Sequence, residues 1–167
     1  MKKALLVVDM QNVCVGNEHA KYFKYDNSKI INAVNRAIDD NKNSLVIYIK
    51  NIMKNNFINK FAPFQAYEGT NEVELVNGLK IVSENIIKKY KANAFSNIEL
   101  NTLLKKNNIE CIEIVGVDGG GCVALTAIGA MNAGYKVMIN ETAIGTMFEK
   151  NKNKYFAKLK LAGAEFI

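Results

Sequence analysis

Three places in the chain hold residues with the types and positions that nucleophilic chemistry requires. The first is Asp9, which ends the apolar run that starts at Lys3 and has the composition of a strand buried on both faces. Reactive groups of α/β proteins lie at the carboxyl ends of such strands. A carboxylate there can equally cap a loop by accepting backbone N–H bonds. Taken alone, Asp9 therefore leaves both interpretations open.

The second place is the glycine-rich segment 116–123, with the sequence Gly-Val-Asp-Gly-Gly-Gly-Cys-Val. Its glycines allow a sharp turn between a strand and a helix, which predicts that Cys122 lies at or near the helix N-terminus. The unpaired N–H groups and the dipole at that end stabilise a thiolate, and they can hold the oxyanion that forms when sulfur attacks a carbonyl. The alternative without function is a small buried cysteine at a tight packing site.

The same segment also allows a rival functional interpretation. Residues 119–124 satisfy Gly-x-Gly-x-x-Ala, and Glu141 ends the next strand about 20 residues later, as in a dinucleotide-binding fingerprint. Too few residues follow for a complete dinucleotide fold, and this interpretation gives Asp9 no role. It is therefore the weaker of the two.

The third place is Lys89, which ends a short apolar segment. Lysines in such positions are usually solvated, so the segment 88–95 carries little information by itself. In an extended chain Lys88 and Lys89 point in opposite directions. At most one of the two can therefore face a site on a given side of the sheet.

The elements that would position these residues alternate between strands and helices. Strands are predicted over 3–9, 44–50, 85–89, 111–117 and 135–140, with a possible closing strand over 164–167. Helices are predicted over 28–40, 97–107, 122–133 and 150–161, and the segment 51–77 should contain a long loop. This order predicts an α/β fold of three layers, Rossmann-like, with a mainly parallel sheet of about six strands and helices on both faces. The length predicts one domain over 1–167.

Composition excludes several classes of function. The net charge is +6, but the lysines are scattered and Arg36 is the only arginine, so a nucleic-acid partner is not predicted. No apolar run approaches the length of a membrane span. The three cysteines, at irregular spacing, argue for a reducing compartment rather than a disulfide framework. We therefore expect a cytoplasmic protein that acts on a small-molecule substrate and has no membrane partner.

Taken together, the motifs resemble those of the isochorismatase-like cysteine hydrolases, a superfamily that includes nicotinamidases, carbamoylsarcosine amidohydrolases and biuret hydrolases. Four motifs occur in the order typical of that superfamily: Asp-Met-Gln at 9–11, a lysine six residues before an aromatic residue at 89–95, a glycine six residues before Cys-Val at 116–123, and Ala-x-x-x-Gly-Tyr at 130–135. Each motif is modest, but the ordered set spans nearly the whole chain and is specific.

The resemblance implies a catalytic triad of Asp9, Lys89 and Cys122. Asp9 would take the thiol proton, Lys89 would stabilise the ionised groups, and Cys122 would attack a carbonyl to form a thioester. The superfamily also has a non-proline cis peptide that maps onto Val117–Asp118. It would aim the N–H of Asp118 into an oxyanion hole beside that of Cys122.

The loops that follow the first two strands would supply substrate contacts, with Gln11, His19 and Phe57 as candidates. The implied function is hydrolysis of a small amide, carbamoyl or urea-like C–N bond, and family members usually form dimers or tetramers. The alternatives are the dinucleotide-binding oxidoreductase and a non-catalytic binding member of the fold. The presence of Cys122 argues against vinyl ether hydrolysis, because true isochorismatases lack this cysteine.

We expect no metal and no organic cofactor. Metal-dependent nicotinamidases carry Asp-x-His after the second strand, where this chain has Asn51-Ile52-Met53, and His19 is its only histidine. A histidine-rich metal site cannot be built from these residues, so nicotinamidase is not predicted.

Overall fold

The computed structural model describes residues 1–17 and 22–167. Within these residues six strands form one sheet in the order β3-β2-β1-β4-β5-β6, and every neighbouring pair is parallel. The strands are β1 (Lys3–Val8), β2 (Leu45–Asn51), β3 (Ile86–Lys89), β4 (Cys111–Val117), β5 (Lys136–Gly145) and β6 (Glu165–Phe166). The predicted parallel α/β sheet is confirmed.

Five α-helices connect the strands in the described part of the chain: α1 (Asn12–Val15), α2 (Asn27–Asp40), α3 (Ile98–Lys106), α4 (Cys122–Asn132) and α5 (Glu149–Leu161). Two of them begin at side-chain caps, since Asp26 accepts a hydrogen bond from the N–H of Lys29 and Asn97 accepts one from the N–H of Glu99. Short 3-10 turns lie at Asn59–Phe61, Asn71–Val73 and Ala94–Ser96.

A hydrophobic core lies on each face of the sheet. Leu5 and Val7 of β1 face α2, whereas the alternate residues Leu6 and Val8 face the side that carries α3, α4 and α5. All four side chains are fully buried, and burying each is worth about 1.5–3 kcal/mol. Helices on both faces make the three layers that the alternating pattern predicted.

The strand order reverses between β1 and β4, which are neighbours with Val8 opposite Gly116. From β1 the chain continues to the face that carries α2, and from β4 it continues to the opposite face, where α4 lies. The loops that follow these two strands therefore diverge at the carboxyl edge of the sheet. Such a switch point is where open α/β sheets form a crevice for ligands.

Several element boundaries differ from the predicted ones. β5 runs five residues beyond Asn140, because an irregularity shifts its register against β4 and lets Gly145 pair with Val117. The closing strand is only two residues long. No helix in residues 1–17 and 22–167 combines the length and the apolarity needed to cross a bilayer.

Candidate active site

Asp9 follows β1 directly and has a φ of 53°, in the left-handed region that non-glycine residues rarely adopt. Its N–H donates a 3.0 Å hydrogen bond to the carbonyl oxygen of Ile49, which fixes the turn against β2. The residue is 4% exposed. Such strained backbone persists where neighbouring structure determines it, and it is concentrated at functional sites.

Lys89 is the last residue of β3, and it is fully buried. Its ammonium nitrogen Nζ lies 2.9 Å from Oδ2 of Asp9, 3.1 Å from Oδ1 of Asn51 and 3.2 Å from Sγ of Cys122. An ammonium group has three donors, and here each has a partner. One ammonium group therefore contacts residues at the ends of β1 and β2 and at the start of α4, and it is itself carried by the end of β3.

Cys122 is the first residue of α4, as the glycine-rich segment predicted. At this position a backbone N–H has no intrahelical acceptor. The N–H groups of residues 119, 120, 121 and 123 donate to the carbonyl oxygen of Gly145 or to the oxygens of Asp118. Among the N–H groups of residues 119–123, only that of Cys122 has no acceptor in the described residues, so it remains free for a ligand oxygen.

Burial, more than the surrounding charges, favours the protonated thiol of Cys122. Burial raises the pKa of Cys122 to about 12, the charge of Asp9 adds to this effect, and Lys89 opposes it. Burial disfavours the charged form of Lys89, but Asp9 and Cys122 outweigh burial, so the pKa of Lys89 is raised. The resting site therefore holds an ammonium group and a neutral thiol. Oδ1 of Asp9 is buried and has no hydrogen-bond partner in the described chain, so it is an available proton acceptor.

The Val117–Asp118 peptide bond is cis, as predicted. The side chain of Asp118 accepts three hydrogen bonds: its Oδ1 accepts one from the N–H of Gly120, and its Oδ2 accepts from the hydroxyl of Tyr25 and the N–H of Met147. These donors belong to three separate segments. The carboxylate therefore holds together the chain before α2 and the loops after β4 and β5.

A cavity of about 180 Å³ adjoins these residues. Asp9, Asn51, Asp118 and Cys122 contribute to its lining. Its walls include five aromatic side chains, those of Tyr22, Phe23, Tyr25, Phe64 and Phe148. Pockets for drug-sized ligands usually measure about 300–1,000 Å³, so this cavity suits a smaller molecule.

A family model described as the isochorismatase domain matches residues 3–167. The chain belongs to the isochorismatase family. It is 25% identical over 155 residues to the isochorismatase family protein YddQ of Bacillus subtilis, and that match covers 87% of this chain and 79% of YddQ. The predicted family is thereby confirmed.

Two solved structures illustrate the shared fold. An isochorismatase-like hydrolase from Alkaliphilus metalliredigens superposes with a TM-score of 0.85 at 22% identity, covering 99% of this chain and 93% of that one. N-carbamoylsarcosine amidase from Thermoplasma acidophilum superposes with a TM-score of 0.82 at 23% identity, covering 99% and 95%. At this level of identity the likeness establishes the fold.

The three candidate substrate-binding residues of this isochorismatase family protein differ in their position relative to the cavity. Gln11 reaches the cavity, but its side chain is already occupied: Nε2 donates to the carbonyl oxygens of Asn51 and Val73, and Oε1 accepts the N–H of Asn51. Phe57 does not line the cavity, because it is 75% exposed and packs against Phe61 instead. His19 lies outside the described residues.

Sequence reasoning missed two residues of the site. Asn51 was noted only because it replaces a metal-binding residue, yet it is a direct partner of Lys89. The strand order could have found it, since the end of β2 lies between those of β1 and β3. The second is Cys14, which belongs to α1 and lines the same cavity as Cys122. No motif in the sequence indicates that Cys14 lines this cavity.

The glycine-rich loop of this family member is not shaped for a dinucleotide. A Cβ atom at Gly120 would lie 2.2 Å from the carbonyl oxygen of Phe148, and one at Gly119 would lie 2.5 Å from Oγ1 of Thr146. These glycines let the loop after β5 approach closely. Most of the loop N–H groups are also bonded internally, so they offer no phosphate cradle, which argues against the oxidoreductase alternative.

The residues at the end of β2 do not fit a metal. The amide oxygen of Asn51 is bonded to Lys89, and Met53 forms an isolated bridge with Tyr67. Within the described ranges, no group of three or more histidine, cysteine, aspartate or glutamate residues is placed to hold a metal ion. We therefore derive no step that involves a metal.

Proposed function

We propose that this enzyme of the isochorismatase family hydrolyses a small amide, carbamoyl or urea-like C–N bond through a thioester on Cys122. One observation carries the proposal: the buried Nζ of Lys89 lies 2.9 Å from the carboxylate of Asp9 and 3.2 Å from the sulfur of Cys122, beside a small cavity. A nucleophile, a base and a fixed positive charge are thus in contact at a place that a substrate can reach.

The first half of the reaction forms the thioester. Oδ1 of Asp9 takes the thiol proton as Sγ of Cys122 attacks the substrate carbonyl carbon. The ammonium of Lys89 stabilises the negative charge that passes from Asp9 to the sulfur. The carbonyl oxygen becomes an oxyanion, and it accepts hydrogen bonds from the N–H groups of Cys122 and Asp118. Because burial opposes a free thiolate, proton transfer accompanies attack.

The second half of the reaction releases both products. The proton held by Asp9 moves to the substrate nitrogen, the C–N bond breaks, and ammonia or an amine leaves. A water molecule then gives a proton to Asp9 and attacks the thioester carbon. Collapse of this second oxyanion breaks the C–S bond, and the proton on Asp9 returns to the sulfur of Cys122. The net reaction consumes one water molecule and yields a carboxylic or carbamic acid.

The shared fold agrees with this class of reaction. N-carbamoylsarcosine amidase, which superposes on nearly the whole chain, is named for the hydrolysis of a carbamoyl C–N bond. The likeness supports the reaction class and leaves the substrate to be found experimentally.

The test is a screen for ammonia release from small amides, carbamoyl compounds and ureas. We expect turnover with the wild type and none with Cys122→Ala. Cys111→Ala is the matched control, because Cys111 is a buried cysteine at the other end of β4. Rapid quenching followed by mass spectrometry should detect an acyl group on the peptide that contains Cys122. Equal turnover by Cys122→Ala and the wild type would exclude the mechanism, and binding without any turnover would favour a non-catalytic member of the fold.

We further propose that the protein is cytoplasmic and forms a dimer or tetramer. All three cysteines are free, which suits a reducing compartment. Phe57, Ile58 and Phe61 form an exposed apolar cluster, with 75–79% of each residue accessible, and such clusters often mark contacts between chains. Light scattering during size-exclusion chromatography measures the oligomeric state directly, and a single monomeric mass would contradict the expected assembly.

A further inference from the structure

Asp118 differs from the other buried carboxylates of the described residues because it forms no ion pair with a lysine or arginine. In the described residues three acidic side chains are buried: Asp9, Glu113 and Asp118. Asp9 lies 2.9 Å from the ammonium of Lys89, and Glu113 lies 2.8 Å from that of Lys3. The partners of Asp118 in this part of the chain are a tyrosine hydroxyl and two backbone N–H groups, which are all neutral. Within the described residues its negative charge therefore has hydrogen-bond donors but no cationic partner.

This charge acts on the cavity beside Cys122. Asp118 lines the cavity, whereas no lysine or arginine does so among the described residues. Asp9 is neutralised by Lys89, and the thiol of Cys122 is uncharged at rest. Burial and the adjacent charge of Asp118 both raise the pKa of Tyr25, whose hydroxyl donates a 3.0 Å hydrogen bond to this carboxylate. Among the described lining residues, a ligand therefore meets the negative charge of Asp118 with no lysine or arginine to offset it.

The aromatic side chains of the cavity wall also favour a positively charged ligand. The ring centroids of Phe23 and Phe64 are 4.7 Å apart, and Tyr22 lies 5.2 Å from Phe23 and 5.8 Å from Phe64. Aromatic faces attract cations that lie within about 6 Å of the ring centroid. In a cavity of about 180 Å³ any occupant lies against several walls at once. Rings and a buried carboxylate in one lining together favour a positively charged occupant.

We propose that the substrate carries a small quaternary ammonium group next to the amide that is cleaved. This inference rests on the proposed hydrolase function, and it names the substrate class. A quaternary ammonium needs no hydrogen-bond acceptor, which matches a cavity in which the oxygens of Asp118 are already bonded to three donors. A primary ammonium has three N–H donors, and the one carboxylate oxygen of the lining without a partner in the described residues, Oδ1 of Asp9, would replace its hydrogen bonds to water only in part. A carboxylate would be repelled.

The first experiment compares three primary amides of similar size on the wild-type enzyme: trimethylammonioacetamide, its neutral analogue tert-butylacetamide, and the anion malonamate. We expect kcat/KM for the cation to exceed that for the neutral amide by about tenfold, the size of a cation–π contribution. Malonamate should be the poorest substrate. Equal rates for the cation and its neutral analogue, or a preference for malonamate, would overturn the inference.

The second experiment identifies the carboxylate responsible. Asp118→Asn keeps the size of the side chain and removes its charge, so it should lower the ratio of cation to neutral kcat/KM several-fold. Glu72→Gln is the control, because this carboxylate lies outside the cavity and its loss changes the net charge equally. The ratio should stay unchanged in the control. An unchanged ratio in Asp118→Asn would contradict the role of this residue. If that variant does not fold, the wild-type comparison decides alone.

A third measurement separates this inference from the proposed function. Calorimetry with choline and its neutral tert-butyl analogue reports binding without turnover, and choline should bind about tenfold more tightly. Hydrolysis of the neutral amide that depends on Cys122, combined with equal binding of the two alcohols, would reject the cationic substrate and retain the hydrolase. Preferential choline binding without hydrolysis of any amide would reject the hydrolase and retain the cation site.

Discussion

Nζ of Lys89 lies 3.2 Å from Sγ of Cys122, while the preceding lysine points out of the protein. Lys88 is exposed and forms a surface ion pair with Glu68. Because side chains alternate along β3, Lys89 is the catalytic candidate and the adjacent Lys88 is a matched control for its substitution.

Lys89→Met should lower kcat/KM by about a thousandfold or more, since a fixed charge at the reacting centre is lost. It also leaves Asp9 buried without its partner, which should cost about 3–5 kcal/mol in the free energy of unfolding. Lys88→Met should change both quantities little. Steady-state kinetics and thermal unfolding measure the two effects, and equal activity of Lys89→Met and the wild type would remove Lys89 from the triad.

Cys122 should be the first of the three thiols to react with iodoacetamide. Burial raises the pKa of all three thiols, so access and the neighbouring ammonium group should decide the order, and Cys14 and Cys111 are both buried. Cys122 is partly exposed and is the one that receives a hydrogen bond from an ammonium group. Because its own pKa is near 12, labelling should accelerate with rising pH and reach no plateau at neutral pH. Peptide mapping after brief treatment checks the order, and preferential labelling of Cys14 would contradict it.

Asp9→Asn should have opposite effects on labelling and on hydrolysis. The charge of Asp9 raises the pKa of Cys122, so its removal lowers that pKa and should accelerate alkylation at pH 7 several-fold. Hydrolysis should nevertheless fall by about a hundredfold or more, because the proton acceptor is gone. Parallel measurements of alkylation and ammonia release test both directions. Slower alkylation of the variant would contradict the effect of the Asp9 charge on the pKa of Cys122, and unchanged hydrolysis would show that Asp9 does not act as this base.

Glu113→Gln should destabilise the fold without touching the site. Burial opposes the charged form of Glu113, but hydrogen bonds from Lys3, Asn140 and Asn41 outweigh it, so the pKa of this carboxyl is lowered below 4.5. Its contribution is therefore present above the unfolded pKa and is lost as the pH falls through the folded one.

At pH 7 the loss should be about 1–3 kcal/mol, and the difference from wild type should shrink as the pH falls below 4.5. Urea unfolding at several pH values measures it. Glu110→Gln, at a more exposed carboxylate, serves as the control. A difference that grows toward low pH would contradict the sign of the shift.

Hydrolysis should survive exhaustive dialysis against a chelator. Cysteine supplies the nucleophile, and the residues at the end of β2 offer no ligand set for a transition metal. Metal analysis and the assay on a substrate from the screen are the measurements. Activity that disappears and returns only with added metal would require a different mechanism.

The sequence allowed the sheet to be predicted because its strands give strong local signals, whereas the proposed triad follows only from the ordered set of modest motifs that resembles the family. Continuous apolar runs define buried strands, and their carboxyl ends must meet at one edge. The wall of the cavity depends on contacts between distant segments instead. α1 is a single turn, too short to be stable alone, and it is held where the N–H of Asn12 donates to the carbonyl of Glu74. Neither Cys14 nor the aromatic cluster around Phe64 carries a periodicity that indicates this arrangement.

The position of Lys89 on an edge strand has a consequence for how the enzyme loses activity. β3 is four residues long and pairs only with β2 among the described strands. Edge elements with few partners open at lower free energy than the centre of a sheet. Each such opening would withdraw the ammonium while the rest of the fold stays intact. Inactivation by denaturant should therefore precede global unfolding, and backbone amides of β3 should exchange with deuterium sooner than those of β1.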